Sequence, residues 1–347
     1  MTNATELRPT LLPGLTRLWR GTHAIQLGLA PGRAFVVDLP DPRAVQLLEL
    51  LDGAHTERSV LAHAGRIGID AADARTLIAS LRSVGLVVGA QSLPGPLPDW
   101  LAAEAAALAL RGAEAPGRVV RRRLDARVLV TGRGRLAAPV AVALAAAGVG
   151  HVRPELPGPV RVTEALDHRD VGRPRSEAAI AAIERAAPGT RTTAVPEPTF
   201  VVQAGIDRPA ALLAAGFARR RLAHLLVDTR DGTPVIGPLV PPVGGPCLNC
   251  LDLHRTERDP GWPELAAQLA GDHRGDPCSA PTVLAAVGYA AAEVLTHIDG
   301  GTPETVGAAV EISAPGRIRR RAWPPNSACS CTRTWAQGAV GAAGRSQ

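Results

Sequence analysis

Lysine is absent from the sequence, so arginine supplies all 38 basic side chains. Together with 32 acidic residues they give a formal net charge of +6. A basic chain can bind nucleic acid, but aromatic residues make up only 3% of this one and offer few surfaces on which bases could stack. The missing lysine and the abundance of alanine, glycine and proline are typical of a GC-rich genome. We therefore expect no nucleic-acid partner, and a winged-helix DNA-binding regulator is a disfavoured alternative.

Long apolar stretches and a secretion signal are also lacking. Residues 1–10 are polar and contain no apolar signal-peptide core. The alanine-rich run at residues 137–149 is shorter than the ~20 residues that a membrane-spanning helix needs. We expect a cytoplasmic protein without a membrane partner. Its 347 residues, 46% of them hydrophobic, are enough for one large domain and one small domain.

Cysteine is scarce, and four of the five cysteines form two close pairs. Cys247 and Cys250 form a CxxC behind two glycines, and Cys329 and Cys331 form a CxC behind two prolines. Four thiolates on two turns suit a closed tetrahedral zinc site, and we predict structural Zn²⁺ there. Two redox dithiols, or thiols with no shared role, are the alternatives. The fifth, Cys278, could be a nucleophile near a helix start, although a thiol without chemistry is the favoured interpretation.

The first 90 residues have the pattern of a separate module. Three short apolar runs, three helical patterns and a returning strand precede a Pro/Gly-rich linker. This is the outline of a winged helix. We divide the chain into a winged-helix-like α+β module (1–92), a linker and helix (93–117), an α/β domain (118–335) and a flexible tail (336–347). The arginine-rich residues 118–123 are predicted to form a strand or hairpin edge.

The most strongly patterned stretch is residues 127–137. A buried strand leads into G-x-G-x-x-A at Gly132, Gly134 and Ala137, and then into a helix. Glycines permit a tight turn and close approach of a phosphate, and a helix N-terminus favours negative charge. The pattern predicts a nucleotide site, and a Rossmann-type turn kept only for packing is the alternative. The next strand should end in an acid for the ribose, but three prolines interrupt it and Glu155 is the one candidate.

Short strands and helices alternate in the remainder of the domain. Strands are predicted at residues 200–205 and 225–228, and helices at residues 176–187 and 212–222. Alternation of this length predicts a mostly parallel sheet covered by helices.

These features, in this order, resemble the ThiF family, relatives of the ubiquitin-activating enzymes. The resemblance covers residues 115–335 and rests on the glycine-rich turn, the helix start DVGRPRSEAA, an apolar strand and the two cysteine pairs. It implies a Rossmann-type fold that binds ATP and adenylates the C-terminal carboxylate of a small protein or peptide, with a structural zinc held by the four cysteines. ThiF relatives are often dimers, so a homodimer is the default expectation.

One branch of the family is a closer match. The segment CLNCLDLHRTERDPGW, with LWRG and IQLG in the N-terminal module, is similar to the partner proteins of azoline-forming cyclodehydratases. In that branch the N-terminal module binds the leader of a ribosomally made precursor peptide, and the ThiF-like part docks on a separate YcaO-type enzyme that uses ATP. Residues 34–39 and helix 73–82 are the expected leader groove. Arg75 and Arg82 could contact acidic leader residues, although a solvated helix face is the favoured use of both.

Departures from the ThiF pattern weaken the expected ATP site. Leu156 stands about where the family's first acid falls, with Glu155 beside it, and Arg175 replaces a lysine near the phosphates. At a later strand Gln203 and Gly205 replace the acidic pattern, and only Asp207 is nearby. Because Mg²⁺ requires oxygen ligands, we expect ATP and Mg²⁺ to bind poorly. The sequence predicts a non-catalytic partner subunit, with an active ATP-dependent adenylyltransferase as the alternative.

Overall fold

The computed structural model describes residues 7–39, 41–112, 115–164, 166–206, 209–271 and 277–331. This part of the chain packs into two compact units that divide between Arg121 and Arg122. The N-terminal unit contains two small antiparallel sheets and several short helices, and the C-terminal unit contains a seven-stranded sheet.

The N-terminal unit begins with four short strands. In chain order its elements are β1 (Pro9–Leu11), β2 (Arg17–Trp19), β3 (Ala24–Leu27), β4 (Phe35–Asp38), α1 (Val45–Glu49), α2 (Glu57–Arg66), α3 (Ala71–Ser83), β5 (Val87–Gly89) and α4 (Asp99–Leu110), and α5 (Pro116–Asp125) spans the division between the units. β2, β3 and β4 form one antiparallel sheet with β4 at an edge, and β1 pairs with β5. The strands, helices and returning strand predicted for this region are thus present, while the winged-helix class stays a prediction.

Polar caps determine where the two longer helices of this module begin. The Thr56 hydroxyl accepts a hydrogen bond from the Ser59 N–H at 3.2 Å before α2. The Asp70 carboxylate accepts one from the Ala72 N–H at 2.6 Å before α3. Each satisfies a backbone donor that the helix itself leaves unpaired. Ile78 and Leu81 of α3, together with apolar residues of α1 and β3, then form a buried core.

The C-terminal unit alternates strands and helices before it ends in a hairpin. Its elements are β6 (Arg127–Gly132), α6 (Ala137–Ala146), β7 (His151–Glu155), α7 (Arg175–Ala186), β8 (Phe200–Ala204), α8 (Ala210–Arg219), β9 (Ala223–Arg230), β10 (Thr233–Val240), α9 (Leu248–Arg258), α10 (Trp262–Gly271), α11 (Ala280–Ile298), β11 (Ala308–Ala314) and β12 (Arg317–Ala322).

The strand order of the large sheet is β12-β11-β10-β9-β8-β6-β7. β7, β6, β8 and β9 are joined by parallel pairs, and the pairs from β9 to β12 are antiparallel. Five of the seven strands therefore run in one direction, which confirms the mostly parallel Rossmann-type sheet. The chain passes from β6 to β7 on one side and returns to β8 on the other. This change of direction at β6 creates a crevice at the carboxyl ends of the strands.

Two local predictions were wrong. Residues 118–123 are not a strand or hairpin edge, because they lie within helix α5. Val120 is 3% exposed and packs in a cluster with Leu101 and Leu108 of α4. The second strand also forms although it contains Pro154, because β7 is the edge strand, where a missing N–H is tolerated.

Helix α11 is long and apolar enough to cross a membrane by length and composition. In the fold it packs against α6 and against β10 and β11 of the sheet. Ala286, Ala290 and Val294 on its inner face are fully buried. This helix therefore forms part of the core of the C-terminal unit.

Candidate metal centre and the cleft at the sheet edge

The four paired cysteines converge on one point. Cys247 precedes α9 and Cys250 lies in its first turn, while Cys329 and Cys331 come from the segment after β12. The Sγ atoms are 3.9 Å apart for Cys247–Cys250, 3.6 Å for Cys247–Cys329 and 3.3 Å for Cys250–Cys331, and all four lie within 4.8 Å of one another. A tetrahedral ion with sulfur ligands at ~2.3 Å needs sulfurs about 3.8 Å apart. The cluster can therefore bind a metal ion such as zinc, and none of the four is in a disulfide.

The thiol pKa values show why this cluster suits a cation. Burial raises the pKa of the Cys247 thiol to about 11, and burial and neighbouring cysteines also raise that of Cys331. Burial acts in the same sense on Cys329, but hydrogen bonds from the Cys331 N–H and the Asn249 amide outweigh it and lower its pKa to about 7. The Cys247 and Cys331 thiols thus stay protonated near neutral pH when no counter-charge is present. A divalent ion would supply that charge and release the bound protons.

Side chains beyond the sulfurs fix the second cysteine pair to α9. The buried Asn326 donates to the Glu257 carboxylate at 2.7 Å and accepts from the Ala328 N–H at 2.9 Å. His254 lies 2.9 Å from the Pro324 carbonyl and does not belong to the sulfur cluster. These contacts orient the turn that carries Cys329 and hold the site together from outside.

A cleft of about 960 Å³ opens at the carboxyl ends of the parallel strands. One wall contains Arg133 and Gly134 of the glycine turn together with Arg175. Another wall is formed by residues of α9 and α10, including Arg255 and Trp262. This is the crevice in which open α/β sheets bind their ligands.

The glycine motif occupies the predicted place. Gly132 ends β6 with φ +102°, and a Cβ atom there would overlap the carbonyl oxygen of Ala204. Gly134, with φ +103°, lines the cleft, and Ala137 is fully buried at the start of α6. Gly132 is therefore required for packing against β8, and only Gly134 of the three faces the cleft.

Glu155 ends β7, level with Thr131 of β6. Its carboxylate lies 3.8 Å from the Arg153 guanidinium, its side chain is 51% exposed, and it is not among the residues that line the cleft. The acid is thus at the expected strand end, but its side chain is outside the crevice.

Arg175 is the first residue of α7 and points into the cleft wall. Its guanidinium donates to the Glu164 carboxylate at 2.6 Å and to the Pro159 carbonyl at 3.2 Å. The two charged side chains are only 8% and 10% exposed. The Arg175 Nε has no hydrogen-bond partner among the described residues. The positive charge of Arg175 is therefore already compensated within the protein.

An acid of the parallel strands does line the cleft, one strand farther than expected. At the end of β8, Gln203 donates to the Gly205 carbonyl at 3.1 Å, and Asp207 is outside the described residues. On the neighbouring β9, Asp228 lines the cleft just past Val227, which pairs with Ala204 of β8. An acid directly after the buried run at residues 225–227 was the sequence signal for this position.

A polar network lines the α9–α10 wall. The Trp262 indole donates to the Asp252 carboxylate at 2.8 Å, and the Arg255 guanidinium carbon lies 4.7 Å from the centre of the Trp262 ring. Burial, and then the charge of Arg230, lower the pKa of Arg255 to about 10. The sequence showed Trp262 only as an aromatic after a turn, because the network depends on how α10 folds back on α9.

Cys278 is separate from the four-sulfur cluster. Its carbonyl accepts a hydrogen bond from the Arg135 guanidinium at 2.5 Å, two residues before α11 begins. This contact involves its backbone, and a nucleophilic role for the thiol stays a prediction.

No protein-family model and no curated protein matches this chain. Solved structures do match. Escherichia coli MccB with ATP has a TM-score of 0.63 at 16% identity, covering 93% of this chain and 99% of that one. The microcin C7 biosynthetic enzyme MccB in complex with N-formylated MccA has a TM-score of 0.65 at 16% identity, with coverages of 93% and 99%. PaaA has a TM-score of 0.62 at 17% identity, with coverages of 89% and 98%. At this identity the likeness concerns the fold, and it confirms that the chain has the predicted ThiF-like fold.

Proposed function

We propose that this protein binds the leader of a ribosomally made precursor peptide through its N-terminal unit. It then presents the peptide to a separate, ATP-using cyclodehydratase of the YcaO type in the cytoplasm. In this proposal its own nucleotide site is degenerate, its four cysteines hold a structural zinc ion, and its default assembly is a homodimer.

The MccB structures support a peptide partner. MccB has been solved with MccA and with N-formylated MccA, and the likeness to it extends over 93% of this chain. A peptide is therefore the first ligand to test on a chain of the same fold.

The outer edge of β4 is the place where a peptide would add as a strand. The Leu39 N–H donates to the His23 carbonyl at 2.7 Å, and hydrogen-bonded pairs alternate along an antiparallel ladder. With Gln26 opposite Val36 and Ala24 opposite Asp38, the backbone groups of Val36 and Asp38 face away from β3. Val37 between them is buried in the core. An added strand would thus continue a sheet that already covers a core.

The arginines of α3 differ in how far they are available to a leader. Arg82 donates to the Glu57 carboxylate at 2.8 Å, so its charge is engaged within the unit. Arg75 is exposed, with no ion pair among the described residues. Of the two, Arg75 is the better candidate for an acidic leader residue.

The ion pair of Arg175 with Glu164 is the observation that supports a degenerate nucleotide site. The residue that stands in place of a phosphate-binding lysine already has a carboxylate against it, and a bound phosphate would have to displace that carboxylate. Gly205 at the end of β8 offers no side-chain oxygen for Mg²⁺.

An ATP-dependent adenylyltransferase is the second candidate. MccB has been solved with ATP and with AMPCPP plus MccA, and the cleft here is large and contains Asp228. In this alternative, Asp228 would supply the oxygen ligand that the end of β8 lacks.

Peptide binding by the full-length protein tests whether a leader peptide adds to the β4 edge. Val36→Pro removes an outward-facing N–H, and an edge strand tolerates that loss. It should weaken binding of a leader peptide encoded beside the gene of this protein by about tenfold or more. Val36→Ala retains the N–H and should bind within about threefold of wild type. Equal binding by both variants, with circular dichroism unchanged, would place the peptide elsewhere.

ATP–pyrophosphate exchange with the same peptides tests whether the nucleotide site is degenerate. We expect no exchange above background. Robust exchange that disappears in Gly134→Asp would show that the glycine turn holds a working nucleotide site and would establish the adenylyltransferase instead.

A further inference from the structure

Arg255 is held in a fixed orientation on the α9–α10 wall of the cleft. Its guanidinium lies over the Trp262 ring at 4.7 Å, and the Asp252 carboxylate fixes the indole through the 2.8 Å hydrogen bond to Trp262 Nε1. The side chain is 18% exposed and lines the cleft. A planar guanidinium stacked in this way has lost most of its freedom before any ligand arrives.

The Arg255 guanidinium forms one long ion pair, with Asp252, among the described residues. The nearest Asp252 oxygen is 3.7 Å away, beyond hydrogen-bond distance, and that same oxygen accepts from Trp262. The Asp252 and Asp228 carboxylates attract the charge of Arg255, but neither comes within 3.5 Å of its nitrogen atoms among the contacts of the described residues. This distinguishes it from Arg175, which is bonded to a carboxylate at 2.6 Å.

A second guanidinium lies beside the first. Arg230 lines the same cleft, and its guanidinium forms a 3.3 Å hydrogen-bonded ion pair with Asp228. Asp228 also accepts from the Thr229 N–H at 2.9 Å. The proximity of Arg230 contributes to the lowered pKa of Arg255, after the larger effect of burial. An anion at Arg255 would offset both unfavourable effects, in addition to the attraction that Asp252 and Asp228 already supply.

The cysteine cluster positions this wall. Asp252 and Arg255 lie in the turns of α9 that follow Cys250, so a metal ion at the start of the helix would fix the direction in which they point. The wall is therefore part of a rigid element, which favours a preformed site over a mobile surface.

We propose that Arg255, supported by Arg230 and Trp262, forms an oxyanion-binding site on this wall of the cleft, distinct from the glycine turn. Its ligand is a carboxylate or a phosphate group, because the planar Arg255 guanidinium offers two parallel N–H donors that match either anion. The site goes beyond leader recognition, since it belongs to the C-terminal unit and needs no peptide on β4.

The Trp262 indole N–H signal in ¹H–¹⁵N NMR spectra of the full-length protein reports on this site. The chain has five tryptophans, and Trp262→Phe assigns the signal. The probes are inorganic pyrophosphate, N-acetylglycine and its uncharged match N-acetylglycinamide. Saturable shifts with dissociation constants in the millimolar range or tighter are expected for at least one anion, and none for the amide. A response to pyrophosphate alone would identify a phosphate site, and a response to N-acetylglycine a carboxylate site.

Arg255→Gln should weaken the anion response at least tenfold, corresponding to the loss of one charge-assisted hydrogen-bond pair. Arg319→Gln, which removes an exposed charge on β12, should leave it within about twofold. If Arg255→Gln fails to fold, Arg255→Lys retains the charge without the planar fork and should still lose several-fold affinity. The proposal is overturned if no anion shifts the Trp262 signal, if the amide binds equally, or if Arg255 and Arg319 variants respond alike.

Discussion

Glu164 and Arg175 form an ion pair at 2.6 Å in the wall of the cleft, with both side chains at least nine-tenths buried. A pair of this kind stabilises a fold little compared with apolar residues, but removing one partner leaves a buried charge without compensation. We therefore expect Glu164→Gln to reduce the free energy of unfolding by about 3 kcal/mol or more.

The double variant Glu164→Gln, Arg175→Met should recover most of that loss, because no unpaired charge remains. Glu155→Gln provides the matched control, since its 51% exposed side chain forms only a 3.8 Å contact with Arg153 and should change stability by less than about 0.5 kcal/mol. Chemical denaturation of the purified variants measures all three. A single variant as stable as wild type would show that Arg175 finds compensation elsewhere.

The cysteine cluster leads to a second prediction. Cys247→Ser should release zinc, because a serine hydroxyl is a poor zinc ligand at neutral pH and three sulfurs leave the ion open to water. Loss of a structural metal is among the large single-site effects, so the C-terminal unit should lose about 4 kcal/mol or more. Metal content by mass spectrometry and thermal denaturation provide the measurements.

Cys278→Ser is the control for this experiment, because Cys278 lies outside the four-sulfur cluster. It should retain one zinc ion per chain and the wild-type melting temperature. Leader binding by the N-terminal unit should survive in Cys247→Ser. Full zinc retention by that variant would argue for separate dithiols instead of one site.

Local signals along the chain were enough to predict most of the sheet and the cysteine cluster. A few neighbouring residues are enough to recognise the strand at residues 127–132, its glycine turn and the CxxC and CxC pairs. The pairing of Glu164 with Arg175 could not be predicted, because it depends on the path of the chain between β7 and α7. The contact of Arg255 with Trp262 could not be predicted either, since it arises where α10 folds back on α9.

His224 leads to a prediction about pH. It is 3% exposed on β9, stacked on Phe217 with ring centres 4.1 Å apart, and its Nδ1 lies 3.0 Å from the Leu222 carbonyl, to which it donates as a neutral ring. Its Nε2 is buried without a partner among the described residues. Burial lowers the pKa of His224 to about 4. The folded protein thus keeps this ring neutral under mildly acidic conditions.

An unfolded histidine has a pKa of about 6.5, so below that pH the unfolded chain binds a proton that the folded chain does not. Stability should therefore fall as the pH drops from about 6.5 towards 4, and the part due to His224 between pH 7 and pH 5 is about 2 kcal/mol. His224→Phe retains a ring against Phe217 but cannot titrate, so its free energy of unfolding should fall by about 2 kcal/mol less than that of wild type over this interval. Denaturant titrations at both pH values give the comparison. Parallel pH profiles for the two proteins would mean that His224 is protonated in the folded state, with its charge stabilised by a group or water close to Nε2.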